Sequence, residues 1–320
     1  KIKEVLTLSD RVSVLRRGKK VGTKATSETN EQDLAEMMVG RVVLLNVNKE
    51  PARPGPEVLK IDKLSVKDQF GQVKVNEVDL SVRSGEVLGI AGVEGNGQSE
   101  LVEAIAGLRK TAGGKIFLSD QDITDWSPLK IREAGFGYVP EDRHRRGLVL
   151  DYSVADNLIL GLHGKNPFVK HSLWRDDRAI SENAEHVIEQ YDIRPPVASQ
   201  HARSLSGGNQ QKIVVGREFT RDPRLLICAQ PTRGVDVGAI EFIHQQVITQ
   251  RDHGAAVLLV SAELDEILSL SDRIAVMYDG QIVSVMSVDE VTEHKLGFLM
   301  LGGRLEDYEA GEVTSHAKED

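Results

Sequence analysis

The residues with the clearest capacity for chemistry form one run, Gly92-Val93-Glu94-Gly95-Asn96-Gly97-Gln98-Ser99-Glu100. The spacing Gly92-x4-Gly97-x-Ser99 fits a phosphate-binding loop, G-x-x-x-x-G-K-[ST], at every place but one. In such a loop, glycines let backbone N–H groups converge on an anion, and the N-terminus of the next helix adds its dipole. Where a lysine would reach the β- and γ-phosphates the chain has Gln98, and Glu94 and Glu100 add negative charge in or beside the loop. A glycine turn without a ligand is the competing reading. Two later segments bear on the choice. In Leu205-Ser206-Gly207-Gly208-Asn209-Gln210-Gln211-Lys212, Ser206 reads as an N-cap before the free amides of Gly207 and Gly208. An apolar run from Leu225 ends in Ala229-Gln230-Pro231-Thr232 and is followed by Gly234-Val235-Asp236.

These residues need a frame. Glu86-Val87-Leu88-Gly89-Ile90-Ala91, ahead of the glycine loop, reads as a buried strand of a parallel sheet. Behind it, Leu101, Ile105 and Leu108 fall on one helical face, with Gly107 as a stop. Leu225–Thr232 and Val257–Glu263 read as further buried strands, and β-α alternation of this kind implies a parallel sheet flanked by helices. Alternating apolar residues over Val58–Val87 predict antiparallel strands feeding the loop. Phe70, about twenty residues before the loop, either stacks on a base or packs. Residues Leu148–Tyr191 read as mostly helical, with breaks at Gly164-Lys165-Asn166-Pro167. Just before them, Arg143, His144, Arg145 and Arg146 form a basic cluster that either faces a partner or is a solvated loop.

The bulk properties narrow the class. The chain has 320 residues, 40% hydrophobic and 28% charged, enough for one large or two ordinary domains. A formal charge of −9 argues against binding nucleic acid through phosphate attraction. No apolar run approaches the ~18 residues of a membrane span. The first residues are charged and amphipathic, unlike a signal peptide. The single cysteine, Cys228, excludes an internal disulfide, suits a reducing cytosol, and in an apolar run reads as a buried inert thiol.

Residues 1–40 align without a gap to residues 263–302 with 14 identities, among them Glu4/Glu266, Asp10/Asp272, Arg11/Arg273 and Gly18/Gly280. Two copies of a unit's end and one copy of its beginning imply a piece of a tandem protein, cut inside the first repeat. Residues 1–50 are then the end of a preceding domain, 51–56 a proline-rich linker, 57–303 a second domain, and 304–320 a polar, frayed tail.

Taken in order, the glycine loop, Tyr138-Val139-Pro140-Glu141, LSGGNQQK, the apolar strand with Pro231-Thr232, and Gly234-Val235-Asp236 resemble the nucleotide-binding domain of an ABC transporter. The strings LSGGNQQK and QPTRGVDVGA resemble the tandem ATP-binding subunits of bacterial importers for simple sugars and nucleosides, and GVEGNGQSE leans toward the nucleoside branch. The resemblance implies an α/β fold: a RecA-like P-loop core with a parallel sheet, an antiparallel β subdomain and a helical subdomain at about 148–215. It makes Gly92–Ser99 the Walker A loop, with Ser99 its Mg²⁺ ligand, and Leu225–Gln230 the Walker B strand. Glu141 takes the place of the Q-loop glutamine, and Leu205, Ser206, Gly207, Gly208, Asn209 and Gln210 belong to the signature. Asp236 lies in the D-loop, and Ala262 occupies the place of the switch histidine. Gly92, Glu94, Gly95, Asn96, Gly97, Gln98, Ser99, Glu100 and Phe70 are the candidate ATP contacts.

The departures from the family pattern decide the expectation. Gln98 replaces the lysine, Ala229 the Mg²⁺-holding aspartate, Gln230 the water-polarising glutamate, and Ala262 the histidine. Phosphoryl transfer depends on positioning and charge neutralisation. A charge-assisted contact is worth about 1.5–3 kcal/mol, and general-base help on the order of 10²–10⁴-fold. The site is therefore expected to hold ATP weakly, with weak or absent Mg²⁺, and not to turn it over. The complete signature is expected to serve a partner site on the first nucleotide-binding domain. Further expected partners are membrane permease subunits and, indirectly, a solute-binding protein, with the chain at the cytoplasmic face of the membrane. A pseudo-ATPase that senses nucleotide without a role in transport is the alternative.

Overall fold

The computed structural model describes residues 2–16, 18–40, 47, 49–171 and 174–309. An N-terminal unit comprises α1 (Ile2–Leu8), the antiparallel pair β1 (Arg11–Arg16) and β2 (Lys19–Ala25), and α2 (Glu31–Val39). Four later elements repeat this order: α9 (Leu264–Leu270), β13 (Arg273–Tyr278), β14 (Gln281–Ser287) and α10 (Glu293–Met300). Corresponding elements begin 262 residues apart, as in Arg11 and Arg273 or Glu31 and Glu293. Even the irregularity between Val14 and Leu15 recurs between Val276 and Met277. β13 and β14 join the main sheet, whereas β1 and β2 form a separate two-stranded ribbon.

The segment after residue 48 is pinned at both ends. Lys49 Nζ donates to the carbonyls of Leu270 and Ser271 at 3.0 and 2.6 Å, and Gly55 N donates to Ser84 O at 2.8 Å. From there β3 (Glu57–Lys67) and β4 (Val73–Arg83) run antiparallel, as their alternating pattern predicts, and join β6 (Thr111–Leu118) and β7 (Gln121–Asp122) in a four-stranded sheet ordered β4-β3-β6-β7. β5 (Glu86–Ala91) is buried along its whole length and leads through the glycine loop into α3 (Gln98–Ile105). Leu101 and Ile105 are fully buried, but Leu108 lies past the helix end and is half exposed, because Gly107 turns the chain at φ +70°.

α4 (Pro128–Glu133) and β8 (Phe136–Val139) follow. Among its described residues, the stretch expected to be mostly helical holds two helices, α5 (Val154–Leu158) and α6 (Asp177–Gln190), separated by turns and a small hairpin, β9 (Val169–Lys170) with β10 (Trp174–Arg175). Here periodicity overestimates helix, since turn-forming Gly161, Gly164 and Pro167 interrupt it. α7 (Gly207–Phe219) then leads to β11 (Leu225–Ala229), α8 (Val237–Asp252) and β12 (Ala256–Val260).

The main sheet has the order β14-β13-β5-β12-β11-β8, with every pairing parallel except β13–β14. Successive side chains of a strand point to opposite faces, and this sheet uses both. Val87, Leu226, Cys228, Val257 and Leu259 join the core under the helices. Leu88, Ile90, Ile227, Ala256 and Leu258 join the core shared with the antiparallel sheet and α3. Each such side chain contributes about 1.5–3 kcal/mol on burial. The chain thus has the expected α/β architecture, a mostly parallel sheet under helices with an antiparallel sheet on its other face. No described helix is long and apolar enough to cross a membrane.

Of the segment expected to be a frayed tail, residues 305–309 are helical, and Tyr308 packs on His294 and Phe298. The remainder, 310–320, lies outside the described residues, as do Lys1, residues 41–46 and 48 of the unit ending at 50, and residues 172–173 of the helical region.

Candidate functional site

A cavity of ≈ 270 Å³ opens where β5, β11 and β12 end. The carboxyl ends of parallel strands are where open α/β sheets place ligands, because the connecting loops and helix N-termini converge there. Gly92, Glu94, Gly95, Gln98 and Ser99 line it from the loop, Glu141 from the segment after β8, Ala229 and Gln230 from β11, and Ala262 from the segment after β12. The structure therefore brings together the residues that the resemblance places at the Walker A, Q-loop, Walker B and switch positions.

Two glycines are required by space. A Cβ on Gly97, which sits at φ +105°, would lie 2.1 Å from Lys74 O, and one on Gly92 would lie 2.7 Å from Met277 O. Gly97 itself does not line the cavity, nor does Asn96. Asn96 Oδ1 instead accepts from Asp279 N at 2.9 Å, fastening the loop to the β13–β14 turn. Glu100 also lies outside the lining.

The four substituted positions have distinct environments. Gln98 is nearly buried, and its Nε2 donates to Val93 O at 3.1 Å, so a neutral amide closes the loop on itself. Ala229 presents a methyl group. Gln230 holds a left-handed backbone, φ +50°, and its Oε1 accepts from Ala262 N at 3.2 Å. That carboxamide does not take up a proton from water. Ser99 Oγ donates to Glu141 Oε2 at 3.4 Å, and Glu141 Oε1 is paired with Arg233.

Other lining groups set the charge. Glu103 pairs with Arg146 and with Arg109, each at 2.6 Å. The backbone N–H groups of Arg145 and His144 hold the Asp142 carboxyl below its ordinary pKa. Burial pushes the Tyr138 phenol up to about 12, keeping it neutral. Arg145 and Arg146 belong to the basic cluster singled out in the sequence, and the structure turns both toward the cavity. Arg143 and His144 turn elsewhere. Arg143 donates to Arg233 O at 2.8 Å, and both residues bond Gln210 Oε1, at 3.5 and 2.8 Å. Sequence reasoning missed Arg233, although it stands within the QPTRGVDVGA string; nothing in the pattern marks it as facing the nucleotide loop.

The signature lies apart from this cavity. Ser206 is exposed at the N-terminus of α7, where its Oγ accepts from Asn209 N and Nδ2, at 3.5 and 3.0 Å. Leu205 and Gly208 are buried, Gly207 is half-buried, and Gln210 Nε2 donates to Ala202 O at 3.1 Å. Asp236 caps α8, its Oδ1 accepting from Ala239 N at 3.0 Å, and sits against Gly208. Phe70 is 79% exposed on a turn held by Asp68, so packing does not account for it, and it does not line the cavity.

Comparison with known proteins agrees with this geometry. Residues 75–233 match the family model described as ABC transporter. The guanosine import ATP-binding protein NupO of Bacillus subtilis (strain 168) is 50% identical over 295 residues, which cover 92% of this chain and 58% of that protein. The nucleoside import ATP-binding protein NupA of Lactococcus lactis subsp. cremoris (strain MG1363) is 48% identical over 307 residues, 96% of this chain and 60% of that protein. The chain thus spans about three-fifths of the length of the curated relatives it matches. Among solved structures, a nucleotide-free ATP-binding cassette from an ABC transporter is similar with a TM-score of 0.63 at 25% identity, covering 73% of this chain and 93% of that one.

Proposed function

This chain carries an ATP-binding domain of the ABC transporter family, and on that premise we propose that it is part of the ATP-binding subunit of an importer for nucleosides or simple sugars. Its own pocket holds ATP without hydrolysing it, and its signature segment completes the nucleotide site of a first domain in the same polypeptide. Support for a nucleoside or sugar as cargo comes from relatives whose names specify guanosine, nucleoside and ribose import.

The observation that carries the non-hydrolysing assignment is the Gln230 side chain. It stands where a carboxylate would polarise the attacking water, yet it is an amide whose oxygen is already bonded to Ala262 N at 3.2 Å. General-base help worth roughly 10²–10⁴-fold has no carboxylate at this position to supply it. Gln98 adds no charge to offset the phosphates, and Ala229 adds no metal ligand. The glycine loop still supplies backbone amides and the N-terminus of α3. The loop's amides therefore bind and orient, and Gln230 takes no proton from water.

The exposed Ser206 and the N-terminus of α7 support the signature's role, since nothing in this chain's own pocket uses them. A permease as partner is supported by a groove of ≈ 710 Å³ near α4, α5 and α6, with Leu129, Leu158 and Leu162 in its wall. Steady-state ATP hydrolysis by the complete subunit, before and after Ser206→Arg, tests the assignment. Loss of hydrolysis is expected; turnover equal to wild type would overturn it.

A further inference from the structure

We propose that the Arg233 guanidinium is a built-in counter-cation standing where a divalent metal would sit, so that this pocket retains a nucleoside triphosphate as the metal-free anion. The inference rests on the reading that the pocket holds nucleotide.

Mg²⁺ in a phosphoryl-transfer site is held by one or two protein oxygens together with phosphate oxygens. The residues present do not fit it. Ala229 has no donor atom, and the Gln230 oxygen is engaged by Ala262 N. The oxygens at the other two positions the family pattern offers a metal, Ser99 Oγ and Glu141 Oε2, are bonded to each other at 3.4 Å. The second oxygen of Glu141 is paired with Arg233. A dication placed between Ser99 and Glu141 would meet that guanidinium. Among the described residues, no three His, Cys, Asp or Glu side chains are grouped to hold a metal.

Arg233 is suited to the role it takes instead. A guanidinium carries five N–H donors in a planar fork, so pairing with one carboxylate oxygen leaves donors for a phosphate. Its side chain lines the cavity and is 58% exposed, so those donors remain accessible. The peptide carrying it is fixed from behind, because Arg143 donates to the carbonyls of Arg233 and Gly234 at 2.8 and 3.5 Å. Arg233 is one of three arginines lining the cavity, with Arg145 and Arg146, and is the one paired with the carboxylate that is bonded to Ser99. Glu103 is neutralised by Arg146 and Arg109, and Asp142 is committed to backbone N–H groups. Glu94 opposes an anion from the loop, and Arg145 adds a positive charge to the lining.

Calorimetric titration of the chain with ATP, once in excess Mg²⁺ and once in excess EDTA, tests the assignment. Wild-type affinity is expected to differ by less than about threefold between the two buffers, a difference of well under 1 kcal/mol. Arg233→Gln should weaken binding in EDTA by on the order of tenfold, the loss of one charge-assisted contact, and Mg²⁺ should then restore part of it. Arg233→Lys, which keeps the charge, should stay near wild type in EDTA. The side chain is largely solvated, so the melting temperature of each variant should be unchanged. Wild-type affinity that rises about tenfold or more with Mg²⁺ overturns the counter-cation while leaving the nucleotide reading intact. Arg233→Gln binding like wild type in EDTA, or Arg233→Lys failing as Gln does, has the same consequence. No ATP binding in either buffer overturns both readings.

Discussion

Glu218→Gln is the perturbation whose consequence the structure specifies most fully. Glu218 lies on α7, the helix that begins at the signature, and its side chain is fully buried. Arg132 from α4 donates one nitrogen to both carboxylate oxygens at 2.8 Å, and Arg217 Nε donates at 2.7 Å. Tyr138 N of β8 donates at 3.4 Å, so one carboxylate joins the signature helix to the strand that leads into the Q-loop position. Burial alone would raise its pKa, but the Arg217 and Arg132 guanidiniums outweigh burial and hold it below the ordinary value of 4.5. Glutamine keeps the volume and removes the charge, leaving Arg217, 5% exposed, without its counter-ion. Breaking a buried pair this way costs roughly 3–5 kcal/mol, which corresponds to a Tm lowered by about 10 °C. The pH dependence follows from the sign of the shift. A depressed carboxyl pKa contributes stability above the unfolded value and loses it as pH falls through the folded value. The gap between wild type and Glu218→Gln should therefore be constant near neutrality and shrink below pH 4.5. Thermal melts followed by circular dichroism from neutral to acid pH measure this. A drop in Tm below about 2 °C at neutral pH, or a gap that widens in acid, would refute the reasoning.

Phe70→Ala should weaken ATP binding by roughly fivefold or more, since stacking on a base is worth about 1–3 kcal/mol, and should leave competition by inorganic tripolyphosphate unchanged. The melting temperature should not move, because the ring is 79% exposed. Cys228 is fully buried, and burial pushes its thiol up, with Glu266 adding to the effect. A thiol reagent should leave the native chain unmodified and label one site per chain in urea.

Much of the cassette is legible in the sequence because its signals are local. β5 is a run of apolar residues followed at once by glycines, and both the strand and the turn occupy the residues so marked. The same holds for the antiparallel pair β3–β4, where one buried face imposes an alternation broken only at bulges. The region 148–191 is legible only in part, since α5 and α6 pack on each other and on α7, which lies outside the stretch. At the site, loop and strand-end positions converge because the topology places β5, β11 and β12 side by side. Arg233 and Glu103 could not be read this way. Each reaches the cavity through a partner distant in sequence, Glu141 and Arg146 respectively. Composition marks Arg145 and Arg146 as unusual, but only the π-turn over residues 143–147 shows which of the four basic residues face the phosphate loop.

The most direct test of the central claim is steady-state phosphate release from Mg²⁺-ATP by the purified chain, beside a Ser99→Ala control. With Gln98, Ala229, Gln230 and Ala262 in place, the chain should release phosphate no faster than that control. Turnover on the order of 1 s⁻¹ or more, abolished by Ser99→Ala, would contradict a pocket that holds nucleotide without cleaving it.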